Sequence, residues 1–195
     1  MLCDILKTIP YFIPDEEAAM STWIIDPDHS VAAFAVKHLK VAYVRGQFNK
    51  IRGTITFDPA DISKTTVEAT IDAAGLLTGI KKRDDHVMSA DFIGVAVQPH
   101  ITFRSTKVEG AGADRAKLTG NLMIHGITRP VTMDVAFSGP VKSPFGGEIT
   151  MGFRAALTID RFAFGVSWNE IMEDGGFMID KDVHITIDLE ADLKE

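Results

Sequence analysis

The sequence predicts a mainly β protein in which about eight antiparallel strands close into a barrel, with one or two short helices in a crossover. Three observations predict this fold. Apolar and polar residues alternate along most of the 195 residues, so each extended stretch has one dry and one wet face. The stretches follow one another with short turns, which favours an antiparallel meander over a parallel α/β sheet. Closure would remove exposed strand edges, although a two-sheet sandwich has the same periodicity and stays an alternative.

The first strands follow a turn signal at Asp26-Pro27-Asp28, where proline presets a bend and aspartate side chains can bond backbone amides two residues on. Alternation then predicts neighbouring strands at 32–38 and 44–48, and two more at 54–57 and 67–71. Apolar or small residues that share the inward face of these strands are Phe34, Val36, Val44, Gly46, Phe48, Ala69 and Ile71, and His38 has the same parity.

The stretch 73–92 loses the alternation. Its sequence has helix formers, a basic run followed by an acidic run, and a stop at Ser89-Ala90-Asp91. This composition predicts the crossover with one or two short helices.

The period of two returns in the second half of the chain. Strands are predicted at 101–105, 118–124, 131–137, 151–159 and 183–189, each with apolar residues on one side. Their connections are predicted at 109–114, at 125–130, at Gly139-Pro140 with 144–147, and at 168–182. Small residues on inward positions, such as Gly120 and Ala155, suggest room for a cavity, although tapered barrels use them too.

Composition excludes several classes of protein. A net charge of −7 with scattered Lys and Arg argues against nucleic acid and anionic membrane surfaces as partners. No transmembrane segment is predicted, and no export signal is visible, so a cytoplasmic protein is expected. Cys3 is the single cysteine, which leaves no intrachain disulfide. We expect one barrel domain at 21–195, preceded by a poorly ordered extension at 1–20.

Several spaced motifs carry a family resemblance over about residues 22–191. They are Asp26-Pro-x-His29-Ser30, Phe34-x-Val36-x-His38, Val44-x-Gly46-x-Phe48, Thr78-Gly79, Arg83-Asp84-x-His86, Asp91-Phe92, and Asp160-Arg161-x-x-Phe164-Gly165. In this order they resemble the YceI-like family. The resemblance implies a lipocalin-like antiparallel barrel whose interior holds a long isoprenoid-type lipid.

Candidate binding residues follow from the inward faces and from this resemblance. A polar head group is expected to meet His38 or Arg83, and we expect Arg83 to be held by Asp84 or Asp91 at the barrel rim. The six histidines lack the spacing of a metal-ligand set, so no metal is predicted. The predicted ligand-binding residues are Phe34, Val36, His38, Val44, Phe48, Ile71, Arg83, Phe103, Leu122, Phe153, Phe162, Phe164 and Trp168.

The leading functional hypothesis is a carrier or store for a polyprenyl chain or quinone tail, with no cofactor other than that lipid. Neither a Gly-x-Ser-x-Gly elbow nor a Gly-rich phosphate loop occurs, so no catalytic residue is predicted. One alternative is an enzyme acting on an isoprenoid or other apolar substrate with His38 as acid or base. The other is a filled barrel that works through homodimer contacts.

Overall fold

Eleven β-strands and one α-helix lie in residues 20–194, the part of the chain that the computed structural model describes. The extension expected at 1–20 lies outside the described residues, apart from Met20. The elements are β1 Ser21–Ile25, β2 Val31–His38, β3 Ala42–Phe48, β4 Ile51–Phe57, β5 Thr66–Asp72, β6 Leu76–Leu77, α1 Lys81–Met88, β7 His100–Gly110, β8 Arg115–Ile124, β9 Ile127–Lys142, β10 Ile149–Asp160 and β11 Ile179–Leu193. Short 3-10 helices occupy Ile62–Lys64, Ala73–Gly75 and Arg161–Phe164.

Eight of these strands form a closed antiparallel barrel, as predicted. Their order is β1-β4-β5-β7-β8-β9-β10-β11, and β11 pairs back onto β1 through Trp23 opposite Leu193. Strands β7 to β11 are a meander in which each strand pairs with its successor. The ring therefore has no free edge at the level of β1.

One end of the barrel is extended by the remaining strands. The long strand β11 pairs with β1 near its end, but its first half, from Ile179 to Asp188, pairs with β2. Strand β2 pairs with β3, and β3 pairs with the two-residue strand β6. Helix α1 follows β6 and lies over this end, which is the crossover predicted for 73–92.

Strand β9 is longer than predicted. The expected connection at 125–130 is reduced to His125 and Gly126, whose φ angles of 52° and 73° make a tight turn. The expected break at Gly139-Pro140 lies inside β9. The reason is that β9 has a partner on each side, β8 as far as Ile127 and β10 as far as Lys142, so ladder pairing keeps both proline-containing stretches extended.

A hydrogen-bonded corner joins β1 to β2. The Asp26 carboxylate accepts the backbone N–H of Asp28 at 2.8 Å and contacts His29 Nδ1 at 2.6 Å. The buried Ser30 hydroxyl accepts the N–H of Glu190 in β11 at 3.2 Å, and the N–H of Asp26 donates to the Glu190 carbonyl at 2.9 Å. The hydrogen bond between the two side chains lowers the pKa of Asp26 and raises the pKa of His29.

This corner predicts a pH dependence of stability. The raised pKa of His29 gives a stabilisation that is complete below its unfolded value of about 6.5 and is lost as the pH rises through the folded value. The lowered pKa of Asp26 gives a stabilisation that is present above its unfolded pKa of about 3.9. This stabilisation is lost as the pH falls through the folded pKa. We therefore expect His29→Gln to lower the thermal unfolding midpoint most near about pH 5.

The measurement is the unfolding midpoint of wild type and His29→Gln between acid and alkaline pH. His100→Gln is the matched control, because His100 is also exposed but lies on β7, away from the corner. A midpoint difference for His29→Gln that does not vary with pH would contradict the assignment.

The end of the barrel opposite α1 is closed by packed side chains. Trp23, Ile25 and Met151 are all at most 4% exposed and belong to one core cluster. Phe57 belongs to the same cluster, and Phe137 and Phe153 pack against it, with the ring centroid of Phe57 5.5 Å from that of Phe137 and 6.5 Å from that of Phe153. We call Phe57, Phe137 and Phe153 the floor.

Candidate functional site

A cavity of about 900 Å³ occupies the barrel between the floor and α1. Its walls come from β2 to β5 and from β7 to β11. Its lining is apolar except for Thr102 on β7 and for polar residues near α1 and the ends of β2 and β10. We call that end the mouth, and define it by His38, Arg83, Arg161 and Trp168. A smaller cavity of about 60 Å³ lies beside the floor and shares Ala155 and Leu118 with the larger one.

Glycines on the barrel wall explain why large inward side chains leave this space open. A Cβ at Gly46 would lie 2.5 Å from Cζ of Phe34, so the Phe34 ring rests directly on the wall. A Cβ at Gly120 would overlap the ring of Phe103 and the carbonyl of Arg104. Both phenylalanines therefore lie along the wall, and they do not meet in the centre.

Most of the predicted binding residues line the cavity. Eleven of the thirteen do so: Phe34, Val36, His38, Val44, Phe48, Ile71, Arg83, Phe103, Leu122, Phe164 and Trp168. They come from the five strands β2, β3, β5, β7 and β8, from α1, and from the segment after β10. That they bind a ligand stays a prediction.

The other two predicted residues lie elsewhere. Phe153 has the expected inward parity, but it belongs to the floor and borders only the smaller cavity. Phe162 does not line the cavity. Its ring packs against the exposed Phe177, with centroids 5.5 Å apart, and the Arg161 guanidinium lies 4.6 Å from the centre of the Phe162 ring. The short 3-10 helix at Arg161–Phe164 turns Phe162 away and Phe164 inward, which strand parity could not predict.

Arg83 is held differently from the prediction. Its Nε donates to the Thr78 hydroxyl at 2.8 Å and its Nη2 donates to the Thr78 carbonyl at 2.9 Å. Asp84 accepts the Thr78 N–H at 2.8 Å, and Asp91 contacts His86 Nε2 at 2.9 Å. Thr78, the last residue before Gly79 and α1, therefore anchors the start of the helix, and neither carboxylate pairs directly with Arg83.

An aromatic group closes one side of the mouth. The His86 ring stands edge-on to Trp168, with centroids 4.7 Å apart, and edge-on to Phe92 at 5.0 Å. Phe92 and Trp168 are 5.2 Å apart. These contacts fasten α1 to the segment after β10, so the helix covers the cavity without burying any of its own residues completely.

Arg161 is a buried cation at the mouth that sequence reasoning did not select. It is 5% exposed and donates to four backbone carbonyls, those of Val166 at 2.7 Å, Asp180 at 2.9 Å, Trp168 at 3.0 Å and Ile179 at 3.1 Å. Burial lowers the pKa of the Arg161 guanidinium, and the nearby Asp160 and Asp180 oppose that shift. The sequence signal for a buried Arg161 is its position between a strand end and two phenylalanines. An exposed arginine could have the same neighbours in sequence.

Every ionisable side chain that lines the cavity is a base. They are His38, Lys82, Arg83, His86 and Arg161, and no Asp or Glu occurs among the described lining residues. All five lie at the mouth, while the rest of the lining is apolar apart from Thr78 and Thr102. Lys82 and His86 were not predicted as lining residues, because a charged run on a helix is normally solvated.

Within residues 20–194, one group of side chains has the spacing of a metal-ligand set. Asp26, His29 and Glu190 offer ligand atoms within 4.8 Å of one another at the β1–β2 corner. Two of these groups already bond each other, and the corner lies outside the cavity. Its geometry is that of the structural corner described above.

No helix within residues 20–194 is both long and apolar enough to cross a membrane.

A family model, a protein sequence and a solved structure each match most of this chain. The family model of the YceI-like domain matches residues 23–191. A UPF0312 protein of Staphylococcus aureus strain USA300 is 34% identical over 176 residues, which are 90% of this chain and 100% of that protein. The structure of BcnA from Burkholderia cenocepacia superposes with a TM-score of 0.74 at 28% identity, covering 85% of this chain and 98% of BcnA.

A more distant structure shares the fold. It is a domain from Saccharophagus degradans described as a polyisoprenoid binding domain implicated in plant cell wall breakdown. It superposes with a TM-score of 0.65 over 90% of this chain and 100% of that domain, at 14% identity. At this identity the likeness shows the fold alone.

Proposed function

This chain belongs to the YceI-like domain family, and we propose that its barrel binds a long isoprenoid-type lipid, a polyprenyl chain or quinone tail, and carries or stores it. The observation that carries the proposal is the apolar cavity of about 900 Å³ with bases only at its mouth. Ligand-binding cavities of proteins measure about 300–1,000 Å³, so this volume suits a sizeable ligand.

The physics of burial supports a chain-like ligand. A tail that loses roughly 400 Å² of apolar surface to the barrel gains about 10 kcal/mol before the costs of association. A cavity lined by Phe34, Phe103 and Leu122 offers such contacts from several strands and needs few hydrogen bonds. Without an occupant, the side chains around a void of this size would lose dispersion contacts.

The shared fold adds support. The Saccharophagus degradans domain with this architecture is described as polyisoprenoid binding, so the same barrel is compatible with such a ligand in another protein. For an enzyme, His38 would need a partner to orient it, and no carboxylate stands among the described lining residues. An enzymatic activity, a homodimer and a cytoplasmic location stay predictions from the sequence.

The test is mass spectrometry of an organic extract of purified protein. We expect close to one long-chain lipid per chain. Purification from two unrelated hosts is the control against an adventitious ligand, and the same class of lipid should come from both. Protein that releases no stoichiometric lipid from either host would contradict the proposal.

A further inference from the structure

We propose that the mouth selects a lipid with an anionic head group, a carboxylate or a phosphate, and that Lys82 and Arg83 contact it. The inference rests on the proposed function and adds the chemical class of the head. It starts from the sign of the lining charges. The chain has 27 Asp and Glu against 20 Lys and Arg, yet the described cavity lining has three Lys and Arg, two His, and no Asp or Glu.

The two residues of α1 are available to a ligand. Within residues 20–194, the ion pairs with nitrogen and oxygen at most 4.0 Å apart include Lys81 with Asp85 at 2.8 Å, and none involves Lys82 or Arg83. Arg83 uses Nε and Nη2 on Thr78, which leaves its Nη1 group for another acceptor. The contacts with Thr78 occupy the Nε and Nη2 edge and hold the guanidinium in one orientation, so that the charge-assisted donors of Nη1 are fixed in place.

Arg161 adds a second, fixed positive charge to the same end. Its Nη2 donates to the carbonyl of Ile179, and Ile179 is the register partner of His38 at the end of β2. All its described hydrogen-bond acceptors are neutral carbonyls, so its charge has no carboxylate in direct contact within residues 20–194. A positive potential at the opening of a low-dielectric cavity is focused toward the ligand.

Nearby carboxylates reduce this potential without cancelling it. Asp91 contacts His86, Asp84 accepts from Thr78, and Asp160 and Asp180 lie near Arg161, but none of the four lines the cavity. The opposite end of the cavity is bordered by the aromatic floor. An amphiphile would therefore bind with its tail toward the floor and its charged head at α1.

The test compares three ligands with one geranylgeranyl tail: the alcohol, the carboxylic acid and the monophosphate. Displacement of the fluorescent probe N-phenyl-1-naphthylamine gives their affinities at low salt. For wild type we expect both anions to bind about tenfold or more tightly than the alcohol. In the double variant Lys82→Gln/Arg83→Gln this preference should fall to about twofold or less, while the affinity for the alcohol stays within about threefold.

Two further variants control for structure. Lys81→Gln removes a charge from the same helix at a position outside the lining, and it should keep the anion preference. Lys82→Glu reverses one charge and leaves every Arg83 contact with Thr78 intact, so it should lower the preference even if the double variant loosens α1. Unfolding midpoints report whether each variant is folded.

The outcomes separate the two proposals. Equal affinity of the alcohol and the anions, or a preference that survives both the double variant and Lys82→Glu, would overturn the anionic head while leaving lipid binding in place. Failure of all three ligands to displace the probe would overturn lipid binding itself. Millimolar inorganic phosphate should not displace the monophosphate, and full displacement would show a site for free phosphate instead of a lipid head.

Discussion

Ala155→Trp is expected to weaken binding of a C20 isoprenoid about 100-fold while leaving a C10 isoprenoid nearly unaffected. Ala155 lies on β10 opposite Val135 and Ile187, and it lines both the large cavity and the smaller one beside the floor. An indole there would fill the deep end of the hollow. If it excludes about four methylene groups of the tail, the loss is about 3 kcal/mol, or about 100-fold in Kd.

The measurement is probe displacement by C10, C15 and C20 isoprenoid alcohols. Ala156→Trp is the matched control, because Ala156 is the next residue of the same strand, has the opposite parity and is exposed. It should leave all three affinities unchanged. The large cavity has space for the indole, so Ala155→Trp should keep an unfolding midpoint close to that of wild type.

The position of Ala155 deep in the cavity predicts how the loss of affinity depends on the length of the ligand. Loss of affinity should grow with chain length, because the short alcohol fits between the mouth and position 155. Undiminished binding of the C20 alcohol by folded Ala155→Trp would show that the tail does not occupy this hollow.

Arg161→Met is expected to lower the free energy of unfolding by about 3–5 kcal/mol, the largest stability effect that we expect of a single substitution here. The methionine removes the donors of four hydrogen bonds to the carbonyls of Val166, Trp168, Ile179 and Asp180, of which Ile179 keeps a second donor in the Asn169 amide. These bonds join the segment after β10 to the start of β11, so the wall of the mouth should loosen first.

Urea denaturation monitored by circular dichroism measures the effect. The control is Arg154→Met on β10, whose guanidinium is 71% exposed and lies 3.5 Å from Asp188, an arrangement worth at most about 1 kcal/mol. Arg161→Lys should be intermediate, since an ammonium has three donors where the guanidinium uses four. Equal destabilisation by Arg161→Met and Arg154→Met would contradict the structural role.

Strand parity predicted most of the cavity wall correctly. Phe34, Phe103 and Leu122 lie where the alternation placed them, because a side chain's face along a strand depends only on the period of two. The predictions were wrong where local conformation departs from that period. The 3-10 helix after β10 turned Phe162 outward, and pairing with β10 carried β9 through Gly139-Pro140.

The anchoring of α1 also needed the structure. The Arg83-Asp84-x-His86 motif placed charged residues at the rim, but the choice of Thr78 as their shared partner depends on how β6 leads into the helix. The structural role of Arg161 also became visible only in the tertiary structure. Its four carbonyl acceptors come from residues up to 19 positions away along the chain, brought together by the segment that returns to β11.

The sequence by itself determined antiparallel strands, the inward face of each strand and a resemblance to the YceI-like family, since all three depend on local periodicity and on spaced motifs. Closure into a barrel instead of a sandwich came from the pairing of β11 with β1. Only the tertiary structure decided that the interior is hollow and that its charges gather at one end. Hollowness depends on which residues face each other: Phe34 rests on Gly46 of β3, and Phe103 on Gly120 of β8, so that both rings lie along the wall. No single strand contains that information.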